Sequence, residues 1–232
     1  MKSQSLINET YRRLLAAYGP QHWWPAETAF EMMVGAVLTQ ACSWGNVEKA
    51  VNALKGAGVL TPAPLLAMQE SELARLIRPT GYYNAKARKL RALASFVVTE
   101  FEGDPANMAA VPTPRLREML LAVHGVGAET ADDILLYAAG RPVFVIDAYT
   151  RRLAARLGLA DEQAGYGELS ALFAGAARSG DTGSDANEMG EFHALIVAHA
   201  KEACRKTPLC GACVLRVLCP TGLERAKAIN QR

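Results

Sequence analysis

Residues 120–131 read LLAVHGVGAETA. Leu116, Met119, Leu120 and Val123 recur at helical spacing, so this stretch opens as the end of an amphipathic helix. Thr113-Pro114 supplies that helix with an N-cap and a first-turn proline. Gly125-Val126-Gly127 then reads as a turn, and a second helix begins at Ala128. Gly125 and Gly127 permit positive φ and close backbone approach. The N–H groups of such a turn and of the new helix carry the positive end of the helix dipole, which makes an anion site. A nucleic-acid phosphate fits this site and would be gripped without any base being read. Helix connections often use glycine without any ligand, so the hairpin alone leaves both readings open.

Outward from the hairpin, the chain stays helical. Tyr11, Leu14, Leu15 and Tyr18 follow i, i+3, i+4, i+7 and stop at Gly19-Pro20; Phe30, Met33, Val34, Val37 and Leu38 repeat the pattern. Further helices are expected near 46–56, 63–77, 84–103, 128–139, 148–158, 167–178 and 188–204. The one strand-like run is Pro142–Ile146, and it is short. The expected class is all-α. Breaks fall at 19–25, 56–64, 103–114, 140–142 and 179–187, the last a Gly/Ser/Asp stretch expected to be a flexible surface loop.

Composition narrows the function classes. The chain has 232 residues, 50% hydrophobic and 21% charged, so it is globular rather than disordered. Its length suits one large domain or two small ones. With 19 glycines and 11 prolines it is not fibrous, and no run of 18 apolar residues offers a membrane span. The opening MKSQSLINETYRRLL lacks the apolar core of a signal peptide, which leads to the expectation of a cytoplasmic protein. The net charge of +2 says little about partners, but its distribution says more. Residues 78–92 carry five basic side chains and no acid, whereas residues 179–191 carry four acids and no base, so one face is expected to be electropositive.

Two further features carry chemistry. Asp147 ends the apolar run and opens a helix (VFVIDAYTRR, 143–152). It reads either as an ordinary N-cap, worth about 1 kcal/mol, or as a carboxylate at a cleft edge that stabilises a developing cation or activates water. Four of the five cysteines then fall in 16 residues, as Cys204-x5-Cys210-x2-Cys213-x5-Cys219 followed by Pro220. Disulfides are not expected in a cytoplasmic chain of this size. Zinc accepts four thiolates, usually as two closely spaced pairs; one CxxC flanked by two single cysteines and ending Cys-Pro looks more like iron–sulfur ligation. Zinc and a metal-free segment stay open as alternatives. Any metal here would tie a segment with little apolar core into a compact fold. Arg205 and Lys206, at the start of the loop, are either phosphate contacts or solvated charges. Cys42, standing apart, is expected to be a small core residue.

Together these parts resemble the endonuclease III family of DNA base-excision glycosylases, in the helix-hairpin-helix superfamily. The resemblance runs over about residues 25–220 and in the family's order: EMMVGAVLTQ (31–40), TGYYNAKA (80–87), VHGVGAETA (123–131), FVIDAYTRR (144–152), then the four cysteines. The cysteine pattern departs by one residue, because the family's common spacing opens x6. The resemblance implies a six-helix domain over 29–141 that carries the hairpin. It implies a second domain, 1–28 with 142–232, holding a 4Fe–4S cluster on Cys204, Cys210, Cys213 and Cys219. It further implies a monomer acting on double-stranded DNA whose damaged nucleotide is flipped out between the domains. Asp147 matches the family's catalytic aspartate. Gln40 and Tyr82 match its two DNA-inserting positions, with an ordinary packing tyrosine as the other reading of Tyr82. Gly125, Val126, Gly127 and Thr130 match the phosphate-binding hairpin. Lys86 and Lys89, with Arg78, Arg88 and Arg91, would lie along the phosphates, unless the run is simply a solvated face.

One departure bears on the reaction. Bifunctional members carry a lysine in a GVGRKTA-like string, and here that position is Glu129. A carboxylate forms no Schiff base with C1′, so AP lyase chemistry is expected to be weak or absent and excision hydrolytic. Glu129 is then either a complement to the helix dipole or a contact to the flipped base or water. Trp44 either packs in the core or lines the base pocket, where its π-face would favour cationic alkylated purines. Lysine-lacking relatives include alkylpurine, mismatch-thymine and mismatch-adenine enzymes. The last carry an added C-terminal domain, and this chain ends 13 residues after Cys219. Alkylated bases are the first expectation, with oxidised pyrimidines or mismatched thymine next. A non-catalytic damaged-DNA binder and a redox module are the rivals from other classes.

Overall fold

The computed structural model describes residues 2–174 and 186–230. These residues form helices and connecting segments, with no strand among the described residues. The chain divides into two compact units, Met1–Trp23 with Pro142–Arg232, and Trp24–Arg141. Helix α1 (Lys2–Tyr18) belongs to the first.

The Trp24–Arg141 unit is built around α2 (Ala29–Leu38), in which every residue from Phe30 to Leu38 is buried. A helix apolar on nearly all sides has to be covered on all sides, and α3 (Trp44–Gly56), α6 (Tyr83–Phe101) and α8 (Ala128–Asp133) pack against it. The start of α2 is fixed by Thr28, whose Oγ1 accepts the Glu31 N–H, while Glu31 Oε2 accepts the Glu27 N–H. This is close to a capping box. The remaining carboxylate oxygen of buried Glu31 pairs with Lys55 of α3 at 2.9 Å.

The helix expected over 63–77 is two helices, α4 (Pro62–Ala67) and α5 (Glu70–Leu76). No glycine or proline marks the break at Met68-Gln69. Arg91 of α6 accounts for it: its guanidinium donates to the carbonyls of Leu66 and Met68, which satisfies the end of α4 from outside. Helix α7 (Thr113–Ala122) leads into the hairpin, with Pro112 rather than Thr113 at the N-cap position. A bidentate pair clamps the two arms of the hairpin: Arg117 Nε to Asp132 Oδ1 at 2.7 Å and Nη2 to Oδ2 at 3.2 Å. The helix expected over 128–139 is present, with its second half, Ile134–Ala138, wound as a π-helix.

The other unit has an apolar centre made by α1 and α11 (Ala186–Glu202), with Tyr11 against Phe192 at 5.2 Å. The strand-like run 142–146 is an extended segment without a sheet. Its burial explains its composition: Phe144 stacks on Phe173 of α10 (Tyr166–Phe173) at 4.8 Å and meets Phe192 edge-on at 5.5 Å, while Val145 and Ile146 are buried. That anchored run delivers the chain to α9 (Ala148–Arg156), and a final helix, α12 (Pro220–Asn230), follows the cysteines. The loop expected at 179–187 lies mostly outside the described residues.

Candidate active site

Asp147 is the N-cap of α9: its Oδ1 accepts the Thr150 N–H at 2.6 Å. The capping reading is therefore correct, and it describes only one of the two oxygens. Oδ2 faces Nε2 of His193, a buried residue of α11, at 3.6 Å. Burial pushes the Asp147 carboxyl up, but the imidazole of His193 nearby and the Thr150 N–H bond outweigh it, so the group sits below its ordinary value of 3.8. The carboxylate is 13% exposed: an anion held in apolar surroundings with a small opening to solvent. Such a group stabilises positive charge better than the same group in bulk water.

In the Trp24–Arg141 unit the structure gathers four of the expected DNA-contact residues. Gln40 Nε2 donates to Gly125 O at 3.1 Å and to Thr130 Oγ1 at 3.0 Å, and its Oε1 accepts from Lys89 Nζ at 2.6 Å. Gly125 has φ +86, and a Cβ there would lie 2.2 Å from Lys89 Cγ, so glycine is required twice over. Val126 and Thr130 lie within the hairpin. The Val126 side chain is buried and its N–H bonds to Val123 O; Thr130 is buried with its hydroxyl taken by Gln40. Both shape the turn and present no side chain to a phosphate. Gly127, extended and exposed, caps α8, and Glu129 in its first turn is exposed.

The basic run needs a larger correction. Lys86 is 2% exposed and its ammonium donates to Leu38 O and Thr80 O, both at 2.9 Å. Burial pushes its pKa down. It ties α6 to the end of α2 and contacts no phosphate. Arg91 is likewise turned inward, and Arg88 pairs with Glu70 at 3.5 Å. Arg78 and Arg88 are exposed, and Lys89 is half-buried with its ammonium on Gln40. Tyr82 is 76% exposed and sits in the left-handed region at φ 45; Ala41, next to Gln40, is also left-handed at φ 51. Non-glycine residues in this region are uncommon, and His22 and Glu102 share it.

Trp44 neither fills the core nor stands alone. It is half-buried and meets Trp24 edge-on at 5.5 Å, with Tyr137 on the other side of Trp24 at 5.5 Å. Trp24, Pro25 and Trp44 line an open cavity together with Gly35 and the polar side chains of Glu31, Glu48, Asn52 and Lys55. A Cβ on Gly35 would lie 3.2 Å from Trp24 Nε1, so the indole rests on that glycine. Cys42 is half-exposed in the same loop and is not a core residue.

The four C-terminal cysteines are unpaired and line one small cavity together with Leu153, His199 and Leu215. Among the described residues no three metal-binding side chains converge on a point as a single-ion site requires. Burial pushes the thiols of Cys213 and Cys219 up. Nitrogen groups lie close to two of the sulfurs. Arg156 Nη1 reaches Cys204 Sγ at 3.1 Å, and His199 Nε2 lies 3.7 Å from Cys213 Sγ. Tyr18 holds the other ring nitrogen of His199 at 2.9 Å, and burial pushes that imidazole down to about 4, so it is neutral at pH 7. Arg156 also binds the carbonyls of Arg205 and Lys206, whose side chains remain exposed.

Residues 34–178 match the model of the HhH-GPD superfamily of base excision DNA repair proteins. The chain belongs to that superfamily. It is a base excision repair DNA glycosylase. A Methanocaldococcus jannaschii protein provisionally named DNA repair glycosylase MJ1434 is 45% identical over 92% of this chain and 96% of its own. Endonuclease III of Sulfolobus acidocaldarius is 28% identical over 73% and 71%. Among solved structures, the H. pylori 3-methyladenine DNA glycosylase MagIII bound to 1,N6-ethenoadenine is 31% identical, with a TM-score of 0.74 over 86% of this chain and 97% of that one. An endonuclease III–DNA complex shares the fold, with a TM-score of 0.79, 23% identity and coverage of 97% and 98%.

Three residues of the glycosylase escaped the sequence reading. His193 is 46 positions from Asp147 and lies on an apolar helix face, where a histidine gives no signal. Trp24 stands in a break between helices, and its partner Trp44 is 20 positions on. Arg156 looks like any C-terminal helix cation. For Trp24 a usable cue existed: Trp23-Trp24-Pro25 places large aromatics in a segment too short to bury them by itself.

Proposed function

We propose that this glycosylase is monofunctional and hydrolytic, and that it removes alkylated bases from double-stranded DNA as a monomer. Two observations carry the reading: Asp147 at the head of α9 is largely buried with its carboxyl held below the ordinary value, and position 129 is a glutamate rather than a lysine. Breaking an N-glycosidic bond builds positive charge on the sugar. Asp147 Oδ2 stabilises that charge and accepts a proton from the attacking water, while Oδ1 stays bound to Thr150. Glu129 offers no amine, so water adds to C1′, the base departs, and the strand is left intact with an abasic sugar.

The aromatic cavity supports the substrate class. Electron-poor, cationic purines gain most from π-faces such as those of Trp24 and Trp44, and they leave with modest assistance. The relative from H. pylori, a 3-methyladenine glycosylase bound to 1,N6-ethenoadenine, points the same way. For DNA, Gly125 and Gly127 with Lys89 form the phosphate grip, Gln40 and Tyr82 are the inserting residues, and Arg205 and Lys206 add outward cations.

Cys204, Cys210, Cys213 and Cys219 fit a 4Fe–4S cluster: four unpaired thiols on one cavity, mostly apolar walls, an N–H donor from Arg156 aimed at Cys204, and the His199 imidazole beside Cys213. When bound, the cluster supplies a structural crosslink for residues 204–219.

The test is a panel of single-lesion duplexes incubated with the purified protein, with and without hot alkali. Strand breaks at alkylated purines, appearing only after alkali, are expected. Breaks without alkali, together with borohydride trapping of a protein–DNA adduct, would overturn the hydrolytic reading. Excision confined to oxidised pyrimidines would overturn the substrate class.

A further inference from the structure

We infer that His193 is a positioning residue for excision: from α11 it holds the second carboxylate oxygen of Asp147, so that the anion is aimed by two elements before DNA arrives. This rests on the reading of Asp147 given above and extends it.

The geometry divides the carboxylate between two tasks. The Thr150 N–H fixes Oδ1 at 2.6 Å, and that bond alone satisfies helix capping. A cap leaves the carboxylate free to rotate about the Oδ1 contact and to turn Oδ2 toward solvent. His193 Nε2 stands 3.6 Å from Oδ2, on a helix that α9 packs against directly. A hydrogen-bond donor at that position selects one rotation of the carboxylate. It requires the proton to be on Nε2. The separation is slightly long for a hydrogen bond, and contacts of this kind tighten when substrate binds.

Rigid packing supports the same role. His193 follows Phe192, which is locked by Tyr11 and Phe144, and Phe144 is three residues before Asp147. The aromatic cluster therefore sets both partners from one core, and the imidazole is 5% exposed. A buried histidine on this face has no packing advantage over leucine or phenylalanine, and its burial carries a desolvation cost. The carboxylate within reach offsets that cost. As Asp147 takes a proton from water, the imidazole keeps the accepting oxygen oriented; no atom of His193 touches the sugar.

The experiment compares His193→Phe, His193→Gln and Asp147→Asn under single-turnover conditions on a lesion-containing duplex. DNA affinity and thermal melting are measured for each. His193→Phe keeps the volume and removes the donor; His193→Gln returns an N–H at similar reach. The expected result is excision slowed about tenfold or more in His193→Phe with DNA affinity within twofold of wild type, and largely recovered in His193→Gln. A merely structural histidine would lower melting and affinity alike and would not be rescued by glutamine. Wild-type excision in His193→Phe, or equal loss in both variants, overturns the inference. If Asp147→Asn is inactive while His193→Phe is not, the inference alone fails; if Asp147→Asn excises normally, the reading of Asp147 fails with it.

Discussion

Helices α8 and α9 both begin beside an acid, and the two acids have different surroundings. Glu129 lies in the first turn of α8, exposed. Asp147 caps α9 from the end of a buried apolar run, with a backbone N–H on one oxygen and His193 opposite the other. In both places a carboxylate at a helix N-terminus is favoured by the dipole. At Asp147 the charge is also largely removed from water. The same local rule thus produces an exposed acid in one unit and a largely buried one in the other, and the difference comes from what packs around each.

The largest expected effect tests that contrast directly. Asp147→Asn keeps the shape and one acceptor, and excision should fall about 100-fold or more with DNA affinity nearly unchanged. Glu129→Gln should leave excision within about threefold, a change too small for a group in the chemistry. Comparable losses in the two variants would erase the distinction between the two acids.

The two hairpin glycines sharpen it next. Gly125→Ala must strain a backbone at φ +86 and displace Lys89, so it should cost about 1–3 kcal/mol in urea unfolding and weaken DNA binding. Gly127→Ala meets nothing within 4 Å at an ordinary φ, and its cost should stay under about 1 kcal/mol. The lysines divide in the same manner. Lys89→Ala should reduce the salt slope of DNA binding by about 0.9, whereas Lys86→Met should leave the slope unchanged and lower stability. Titration gives the smallest signal. Folding holds the Asp147 carboxyl below 3.8, so on acidification the unfolded chain takes up the proton first. Its stabilising effect is complete above the ordinary carboxylate range and fades as pH falls through the lower, folded value. Unfolding curves between pH 3 and 7 should show a shallower acid decline for Asp147→Asn than for the wild type.

The helical class, the hairpin and the cysteine-rich segment are legible in the residues because each depends on short-range rules. Leu116, Met119, Leu120 and Val123 recur at helical spacing, Gly-Val-Gly makes a turn, and four thiols crowd into 16 residues of chain. The break at Met68-Gln69 is not legible, because its cause is Arg91, more than twenty positions away. Lys86 misleads for the same reason: a lysine in a basic run resembles its neighbours, and only the packing of α6 on α2 shows that it serves two carbonyls. Trp44 belongs with these, since its edge-on contact with Trp24 spans two elements.

Helix periodicity, capping and turn chemistry act over three or four residues, so the primary structure dictates where this chain coils, turns and gathers its thiols. Which carboxylate is charged and aimed, which lysine faces water and which tryptophans form a cavity depend on desolvation and on partners brought in from distant segments. Those energies exist only once the helices have packed, and so the burial and ionisation of Asp147, though not its place at the head of a helix, were decided by the folded chain.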